Sequence, residues 1–387
     1  MIETISYYNS QKSQVYVALL DASKAFDRVK YCKLFRLLQK RKVSPMVLRL
    51  LINMYINQEL QVRWGTQTSA TFSVSNGVKQ GGVLSPILFT VYVNELLQKL
   101  EEKRIGCRVG NYFAGCLAYA DDLTLLAPTK KGLQFMIDTC EKFANEFDIV
   151  FNGSKSQFLV FSAGKSFKKY SILIGETNVW NVDKAIHLGH HISTNDINSM
   201  VLAANSQFWR SFNIFKADFG HIKSSLQCTL FKQYCCSFYG APLWQLRSKE
   251  VKTTCTSWRK ALRNIWRINC RTHCDIVAML SDCLPLEDAL KHRFQKFHDN
   301  ISKKGNNFLR MVVSIASRNP FSVYYDNLKE CQRFQEDSKN ICFDRKLSFE
   351  VKVNALKELI DIRDRISVCN ALSLEEVNEM IDSLCIL

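Results

Sequence analysis

Short apolar runs alternate with amphipathic stretches along the N-terminal half of the chain. The run VYVALL, residues 15–20, is apolar and partly β-branched, and it predicts a buried strand that ends in a carboxylate, Asp21. Two helices are predicted next, the second with Pro45 in its first turn. The apolar positions that keep helical spacing are Leu34, Leu37 and Leu38, then Val47, Leu50, Leu51 and Met54.

Turn and cap signals mark the elements that follow. The segments LQVRW and ATFSV flank Gly65 and predict a hairpin. The glycine-rich segment NGVKQGG, residues 76–82, predicts a flexible loop. Ser85 and Pro86 then open a long helical pattern, and we expect Ser85 to be the N-cap and Pro86 the first helical residue.

Two adjacent carboxylates, Asp121 and Asp122, interrupt the next apolar hairpin, whose arms are NYFAGCLAY and LTLLA. One interpretation is a plain turn, because Asp hydrogen-bonds the nearby backbone and is common in turns. A turn accounts for one of the two aspartates but not for both. Burying an unpaired carboxylate costs several kcal/mol, roughly, unless a cation neutralises it, so a metal site is the second interpretation.

A striped helix and a final strand, QFLVFS, complete this part of the chain. The helical stripe comprises Leu133, Met136, Ile137, Cys140, Phe143 and Phe147. The order of elements predicts an α+β fold, a small antiparallel sheet with helices on one face and the carboxylates on the open face. After residue 194 the chain changes to long helical patterns rich in aromatic and basic residues.

The composition points to a polyanionic partner. Among 387 residues, 52 Lys and Arg stand against 36 Asp and Glu, for a net charge of +16, and nucleic acid is the first candidate. The N-terminus lacks the apolar core of a signal peptide, and the longest apolar run contains a proline and is too short to span a bilayer. We therefore expect no membrane partner and an intracellular protein, cytoplasmic or nuclear.

The 15 cysteines are scattered through amphipathic patterns, which is typical of small buried side chains in a reducing compartment. We expect no disulfide framework. The segment CRTHC, residues 270–274, has some character of a metal motif. No second ligand pair follows it at zinc-finger spacing, so structural cysteines are the favoured interpretation.

A third carboxylate is expected if Asp121 and Asp122 bind metal. Asp21 ends the first apolar run and can supply it from a neighbouring strand. Oxygen ligands of this kind suit Mg²⁺ or Mn²⁺, and a pair of such ions can activate a hydroxyl and stabilise a leaving pyrophosphate. The predicted chemistry is phosphoryl transfer without a protein nucleophile.

Five sequence blocks follow one another along the chain: LLDASKAFDRV, NGVKQGGVLSPILF, YADD, FNGSKSQFLVFS and HLGHHI. In this order and spacing they resemble the palm motifs of reverse transcriptases, and most closely those of non-LTR (LINE-type) retrotransposons. The resemblance covers residues 15–193 and extends more weakly through QYCCSFYGAPLW and CRTHC. It implies a polymerase palm followed by an all-α thumb and a C-terminal helical extension, at 1–193, 194–270 and 271–387.

The resemblance also implies the catalytic roles. Asp21, Asp121 and Asp122 would bind two Mg²⁺ or Mn²⁺ ions, and Lys155 would act near the pyrophosphate and protonate it. A charged loop residue is exposed by default, which is the competing interpretation of Lys155. Asp27 also matches the family motif, but at a strand-to-helix transition a helix cap is the favoured interpretation.

Nucleotide and primer contacts are implied in the same way. Phe26 would lie under the sugar of a dNTP and exclude a 2′-hydroxyl, although an ordinary core aromatic fits its position equally. Gln80 and Gly81 would line the nucleotide and template base, the alternative being a flexible hairpin exit. Leu188 and Gly189 would grip the primer end. We interpret the adjacent His187, His190 and His191 as surface or phosphate contacts rather than a metal cluster, because neighbouring strand residues face opposite ways.

Family members carry a fingers region before the first palm aspartate, and here only the segment 1–20 precedes Asp21. We therefore expect an N-terminally truncated domain. Two hypotheses follow. In the first, the chain is an RNA-directed DNA polymerase that extends a DNA primer on an RNA template with dNTPs. In the second, it is a catalytically inactive retrotransposon-derived fragment that binds nucleic acid through its positive charge.

Overall fold

A computed structural model describes residues 1–162, 164, 169–338, 343–365 and 374–386. The chain divides into two compact units, Met1–His187 and Leu188–Leu387. The first unit contains the predicted sheet and its helices, and the second is helical after one short strand. The α+β fold class is therefore confirmed.

The first unit contains five helices and thirteen short strands among its described residues. The helices are α1 (Ile2–Ser10), α2 (Tyr31–Lys40), α3 (Pro45–Ile56), α4 (Ser85–Glu102) and α5 (Lys130–Phe147). The strands are β1 (Val15–Asp21), β2 (Glu59–Leu60), β3 (Arg63–Trp64), β4 (Gln67–Thr68), β5 (Phe72–Ser73), β6 (Arg108–Val109), β7 (Tyr112–Phe113), β8 (Cys116–Tyr119), β9 (Asp122–Ala127), β10 (Gln157–Phe161), β11 (Ser171–Ile174), β12 (Thr177–Trp180) and β13 (Lys184–His187).

A four-stranded antiparallel sheet in the order β10, β1, β9, β8 forms the centre of this unit. β1 lies between β10 and β9, so both of its edges are hydrogen-bonded and its apolar run is buried. One face of the sheet, which includes Ala18, Leu125 and Phe158, joins a core cluster with residues of α2, α4 and α5. Helices on one face of an antiparallel sheet are what the element order predicted.

The opposite face of the sheet is open only at its end. Residue alternation places Asp21 on this face with Val17, and Asp122 on it with Leu126. Val17 and Leu126 are fully buried, whereas both aspartates are partly exposed. The expectation of an open face is therefore too broad, because Val17 and Leu126 are buried behind the edge that Asp21 and Asp122 form, which we call the carboxylate edge.

Helix α5 follows its predicted stripe, while α3 does not bury most of the positions that predicted it. Every residue of the α5 stripe is buried. In α3, Leu51 is buried, but Leu50 is 60% exposed and Val47 and Met54 are also exposed. The apolar spacing predicted the α3 helix correctly, but it did not show which face of the helix packs against the core. Met46, 81% exposed, extends this surface to the first turn.

Two local predictions are wrong. Helix α4 begins at Ser85, its N-cap is Leu84, and the Ser85 hydroxyl donates to the Lys79 carbonyl instead of capping the helix. The predicted strand arm NYFAGCLAY is also divided. Its first part, β7, pairs with β6, and only β8 pairs with β9. The strand is interrupted at Gly115, whose backbone lies against the Phe113 ring.

The second unit is a helical assembly after β14 (His190–Ser193). Its helices are α6 (Ser199–Phe219), α7 (Ser224–Tyr234), α8 (Lys249–Trp266), α9 (Cys274–Leu280), α10 (Leu286–Lys304), α11 (Asn307–Ala316), α12 (Val323–Ser338), α13 (Phe343–Arg365) and α14 (Leu374–Ile386). Aromatic rings fill its core, with Phe208, Phe212 and Phe231 in mutual contact. The aromatic spacing after residue 194 is thus a core pattern. The boundary expected at residue 270 stays a prediction.

The cysteines of the described ranges are free thiols, and many of them are buried. Burial raises the pKa of the Cys107 thiol to about 12, so this side chain is a neutral packing group. Among the residues that the structure describes, no helix is both long and apolar enough to cross a bilayer.

Candidate active site

Strand register brings two of the predicted carboxylates together. Asp21, the last residue of β1, is paired directly with Asp122, the first residue of β9. Directly opposed residues of an antiparallel pair have Cβ atoms about 5 Å apart, on the same face of the sheet. Two residues separated by 101 positions along the chain therefore end as neighbours at one edge.

Asp121 reaches the same edge through a strained turn. Tyr119 pairs with Asp122, so Ala120 and Asp121 form a two-residue loop between β8 and β9. Ala120 has φ +52, a left-handed conformation that is uncommon for a residue with a Cβ. Backbone strain of this kind concentrates at functional sites. The turn leaves Asp121 exposed beside the partly buried Asp122.

The three carboxylates interact electrostatically. Burial raises the pKa of the Asp122 carboxyl, His187 opposes that change, and Asp121 and Asp21 raise the pKa further. His187 is fixed by a hydrogen bond of 3.0 Å between its Nε2 and the Thr124 hydroxyl. Thr124 lies two residues after Asp122 on the same face of β9. His187 is therefore a neighbour of the carboxylate edge and not a plain surface residue.

Lys155 lies on a turn that is tied to the backbone of Asp21. The Asn152 amide donates to the Asp21 carbonyl at 2.8 Å, and the Asp21 amide donates to the Ser156 hydroxyl at 3.1 Å. The Asn152 side chain in turn accepts from the amides of Ser154 and Lys155. The turn thus presents an exposed lysine from a segment attached on both sides to the first aspartate.

Phe26, Gln80 and Gly81 lie on two segments that are joined to each other. Phe26 belongs to a 3₁₀ helix, Phe26–Arg28, is partly buried, and stacks on Phe89 with ring centroids 4.5 Å apart. The Val78 amide donates to the Phe26 carbonyl at 2.8 Å. The glycine-rich loop is therefore hydrogen-bonded to the main chain of Phe26, the residue predicted to contact the sugar.

Asp27 is not a helix cap, so that interpretation is wrong. Its carboxylate accepts a hydrogen bond of 2.9 Å from the Gln80 side chain, and no side chain caps the 3₁₀ helix. The second aspartate of the family motif thus orients the glutamine of the loop. Sequence spacing could not show this contact, because it joins residues 53 positions apart.

Gly77 is a residue that the sequence analysis missed. It has φ +90, and a Cβ there would lie 2.9 Å from the Asp27 carbonyl oxygen. Gly81 has φ +78 with open space around it, whereas Gly82 is confined by Lys79 and Ser85 of its own loop. The Asn-Gly pair that opens the loop is the signal that could have identified Gly77.

Leu188 and Gly189 connect β13 to β14, and both have positive φ, +50 and +74, as the centre of a type I′ turn requires.

His190 and His191, the two histidines that follow this turn, lie in different surroundings. His190 stacks on Tyr239 with ring centroids 4.7 Å apart, and His191 is exposed. The two side chains thus have different surroundings, as the strand alternation predicted.

A different group of residues is the tightest cluster of metal-type ligands in the described part of the chain. His273, Cys274 and Asp275 offer atoms that all lie within 4.8 Å of one another, and the aspartates of the sheet edge are spread more widely. His273 Nδ1, however, accepts from the Asp275 amide and caps α9. A helix cap is the role that this contact supports.

Comparison with known proteins identifies the first unit. The family described as reverse transcriptase (RNA-dependent DNA polymerase) matches residues 1–192. The Pol polyprotein of the type-2 retrotransposable element R2DM from Drosophila melanogaster is 34% identical over 158 residues. The chain carries a reverse transcriptase domain of the non-LTR retrotransposon family.

The match to R2DM covers 41% of this chain and 15% of that polyprotein. A second relative, the Pol polyprotein of the type-1 retrotransposable element R2 from Nasonia vitripennis, is 28% identical over 176 residues, which cover 46% of this chain and 17% of the relative. The matched part of this chain spans about a sixth of the length of these relatives.

A solved structure of apo telomerase from Candida tropicalis aligns with 86% of this chain and 54% of its own, with 14% identity and a TM-score of 0.42.

Proposed function

We propose that this chain is an RNA-directed DNA polymerase that transfers a nucleotide from a dNTP to a primer 3′-hydroxyl on an RNA template. One observation supports this most strongly. Within a reverse transcriptase domain, the register of β1 and β9 sets Asp21 opposite Asp122, with Asp121 in the adjoining turn. In the reaction, the 3′-oxygen bonds to the α-phosphorus while the bond from that phosphorus to the β-phosphate bridging oxygen breaks.

The donor set at this edge fits divalent ions that prefer oxygen ligands, Mg²⁺ or Mn²⁺. Burial raises the pKa of Asp122 most, His187 opposes this, and Asp121 and Asp21 raise the pKa further, so a bound cation would favour the ionised carboxylate at this edge. When bound, two such ions would activate the primer hydroxyl and stabilise the leaving pyrophosphate.

Phe26 is proposed to exclude the 2′-hydroxyl of a ribonucleotide. Its ring is supported by Phe89 on one side and is not fully buried, so it can present a rigid surface to a sugar. Gln80, held by Asp27, and Gly81, with open space around its Cα, are proposed to line the nucleotide and the template base. This arrangement selects dNTPs by shape rather than by charge.

Lys155 is proposed to donate a proton to the leaving pyrophosphate. The backbone of its turn is hydrogen-bonded to the Asp21 backbone, and this attachment supports the role. Leu188 and Gly189 are proposed to hold the primer end through their type I′ turn. The partners are then an RNA template, a DNA primer and dNTPs, with residues 194–270 as the thumb.

Primer extension tests the function. The purified chain is incubated with a DNA primer annealed to RNA, dNTPs and Mg²⁺, and product length is read on a gel. We expect template-dependent extension with dNTPs and little with ribonucleotides. RNA binding without any extension, in Mg²⁺ and in Mn²⁺, would contradict the proposal and favour a catalytically inactive fragment that binds nucleic acid through its net charge of +16.

A further inference from the structure

The second unit contains a cavity of about 690 Å³ that is distinct from the carboxylate edge. Strand β14, helix α6, the end of α7 and the turn that follows α7 line it. Its polar and aromatic lining includes His190, Gln207, Arg210, Tyr234 and Tyr239. A volume of this size accommodates a nucleotide, and ligand sites commonly range from about 300 to 1,000 Å³.

Tyr239 presents an aromatic surface at this cavity. One face of its ring stacks on the His190 imidazole at 15° between ring planes, and its hydroxyl donates to the Leu188 carbonyl at 3.4 Å. The side chain is nevertheless 66% exposed. A large aromatic side chain that is held on one face and open elsewhere can stack a further ring.

The segment that carries Tyr239 is held in place by its neighbours. Phe238 is buried and contacts Phe208 and Trp244. The Arg293 guanidinium donates to the carbonyls of Ser237 and Cys236, at 2.8 and 3.1 Å. Preorganisation of this kind lowers the entropy cost of binding, because no loop has to be ordered by the ligand.

A glycine creates the space for the stack. Gly240 has φ +78, and a Cβ there would collide with the His190 imidazole. On the other side, Gly189 has φ +74, and a Cβ there would only make ordinary contact with the Tyr239 ring, at 3.4 Å. The main chain at Gly240 is therefore shaped so that the two rings can lie against each other.

Arg210 supplies charge at the same cavity. It is exposed, its guanidinium donates to the Gln207 side chain at 3.2 Å, and no described carboxylate forms an ion pair with it. Burial lowers the pKa of His190, so the ring stacked on Tyr239 is neutral near pH 7. The cavity thus combines a neutral aromatic stack, an amide and one cation.

These features match the chemistry of a nucleotide, an aromatic base joined to a phosphate. We propose that the cavity binds one unpaired nucleotide of a nucleic-acid strand, with the base stacked on Tyr239 and the phosphate on Arg210. Base–aromatic stacking is tolerant of sequence, so we expect little preference among the four bases. The proposal does not rest on catalysis, because the site contains none of the carboxylates of the sheet edge.

A fluorescence experiment tests this. Single-stranded DNA and RNA oligonucleotides carry 2-aminopurine at each position in turn, and are titrated with the full chain and its Tyr239→Ala, Tyr239→Phe and Arg210→Gln variants. We expect one position to be quenched on binding. Tyr239→Ala should abolish that quenching and weaken binding about 5- to 100-fold, while Tyr239→Phe should stay within about twofold of wild type.

Phe321→Ala and Arg318→Gln are the matched controls, since both residues are exposed and lie in the second unit outside the cavity. Quenching in the DNA series, the RNA series or both supports the proposal, and the pattern shows which sugar the site accepts. Equal loss in Tyr239→Ala and Phe321→Ala, or no quenched position in either series, would overturn it.

An abasic oligonucleotide gives a second test that needs no protein variant. Removing the base at the quenched position should weaken wild-type binding about 5- to 100-fold, because the stacked ring is lost and the phosphates are kept. Unchanged affinity would show that binding depends on the backbone alone and would contradict a base site. This result holds even if Tyr239→Ala does not fold.

Discussion

The carboxylate edge and the Tyr239 cavity are built on opposite physical principles. At the edge, Asp21, Asp121 and Asp122 are brought together against their mutual repulsion, and Ala120 adopts a strained conformation to place them. At the cavity, a neutral stack is held by packing, by the space that Gly240 leaves and by Arg293. Under the proposed function the edge is completed by metal cations, whereas the nucleotide site proposed at the cavity requires none.

The difference predicts which changes affect chemistry and which affect stability or binding. Charge removal at the edge should destroy activity and relieve repulsion. Changes in the surrounding backbone should cost stability, because hydrogen bonds and glycines position the site. The predictions that follow separate these effects.

The largest expected effect is on turnover. Asp121→Asn keeps the shape of the turn and removes a proposed ion ligand, so we expect primer extension to fall at least about 1,000-fold. RNA affinity should stay within about twofold, since the change removes a negative charge and none of the Lys or Arg side chains that contact phosphates. Extension that equals wild type would remove Asp121 from the site.

Gly77→Ala should lower the free energy of unfolding by about 1–3 kcal/mol, because its Cβ would press on the Asp27 carbonyl at a positive φ. Gly81→Ala is the control, with a similar φ and no atom within 4 Å. Chemical denaturation of both variants measures the difference. A Gly81→Ala cost as large as that of Gly77→Ala would mean that φ alone matters.

Phe26→Val tests the sugar contact. A smaller side chain should admit the 2′-hydroxyl, and we expect the ratio of dNTP to ribonucleotide incorporation to fall about 10- to 100-fold, as ratios of kcat/KM. Phe89→Leu is a useful comparison, because it removes the stacking partner and keeps Phe26. An unchanged ratio in Phe26→Val would make Phe26 an ordinary core residue.

Asp122→Asn should slightly stabilise the ion-free protein. The folded-state pKa of Asp122 is raised, so its ionisation disfavours folding at neutral pH, and the penalty vanishes as pH falls through that pKa. We expect the Tm to rise by about 1–3 °C at pH 7, an effect discounted for solvent exposure. The gain should shrink at acidic pH and in Mg²⁺. A Tm that is lower for Asp122→Asn than for wild type, in thermal scans with EDTA, would contradict this account.

Salt dependence gives the least specific test. Binding of RNA should weaken steeply between low and physiological salt, because phosphate contacts release counterions. The Tyr239→Ala variant should show the same slope as wild type, since stacking is not ionic. A flat response in the wild type would contradict phosphate tracking by the basic residues.

The sequence predicted the helices and most strands of the central sheet, because strong apolar patterns carry that information. It also placed Asp21 and Asp122 on neighbouring strands, which the register confirms, while their role as metal ligands stays a prediction. It did not predict that α3 exposes Val47, Leu50 and Met54. Helical spacing identifies an apolar stripe but does not show what that stripe packs against.

The sequence analysis also missed the Asp27–Gln80 contact and Gly77. The Asp27–Gln80 contact and the need for glycine at position 77 arise because two segments far apart in the chain approach each other. In the sequence, a single glycine is the only sign of that approach.

Binding of Mn²⁺ measures the central claim most directly. Free Mn²⁺ is followed by electron paramagnetic resonance during titration of the protein with a dideoxy-terminated primer on RNA and a matching dNTP. We predict that wild type binds two ions, displaced by Mg²⁺, and that the Asp21→Asn and Asp122→Asn double variant loses both. Equal Mn²⁺ binding by the two proteins would show that the register of β1 and β9 does not build a metal site.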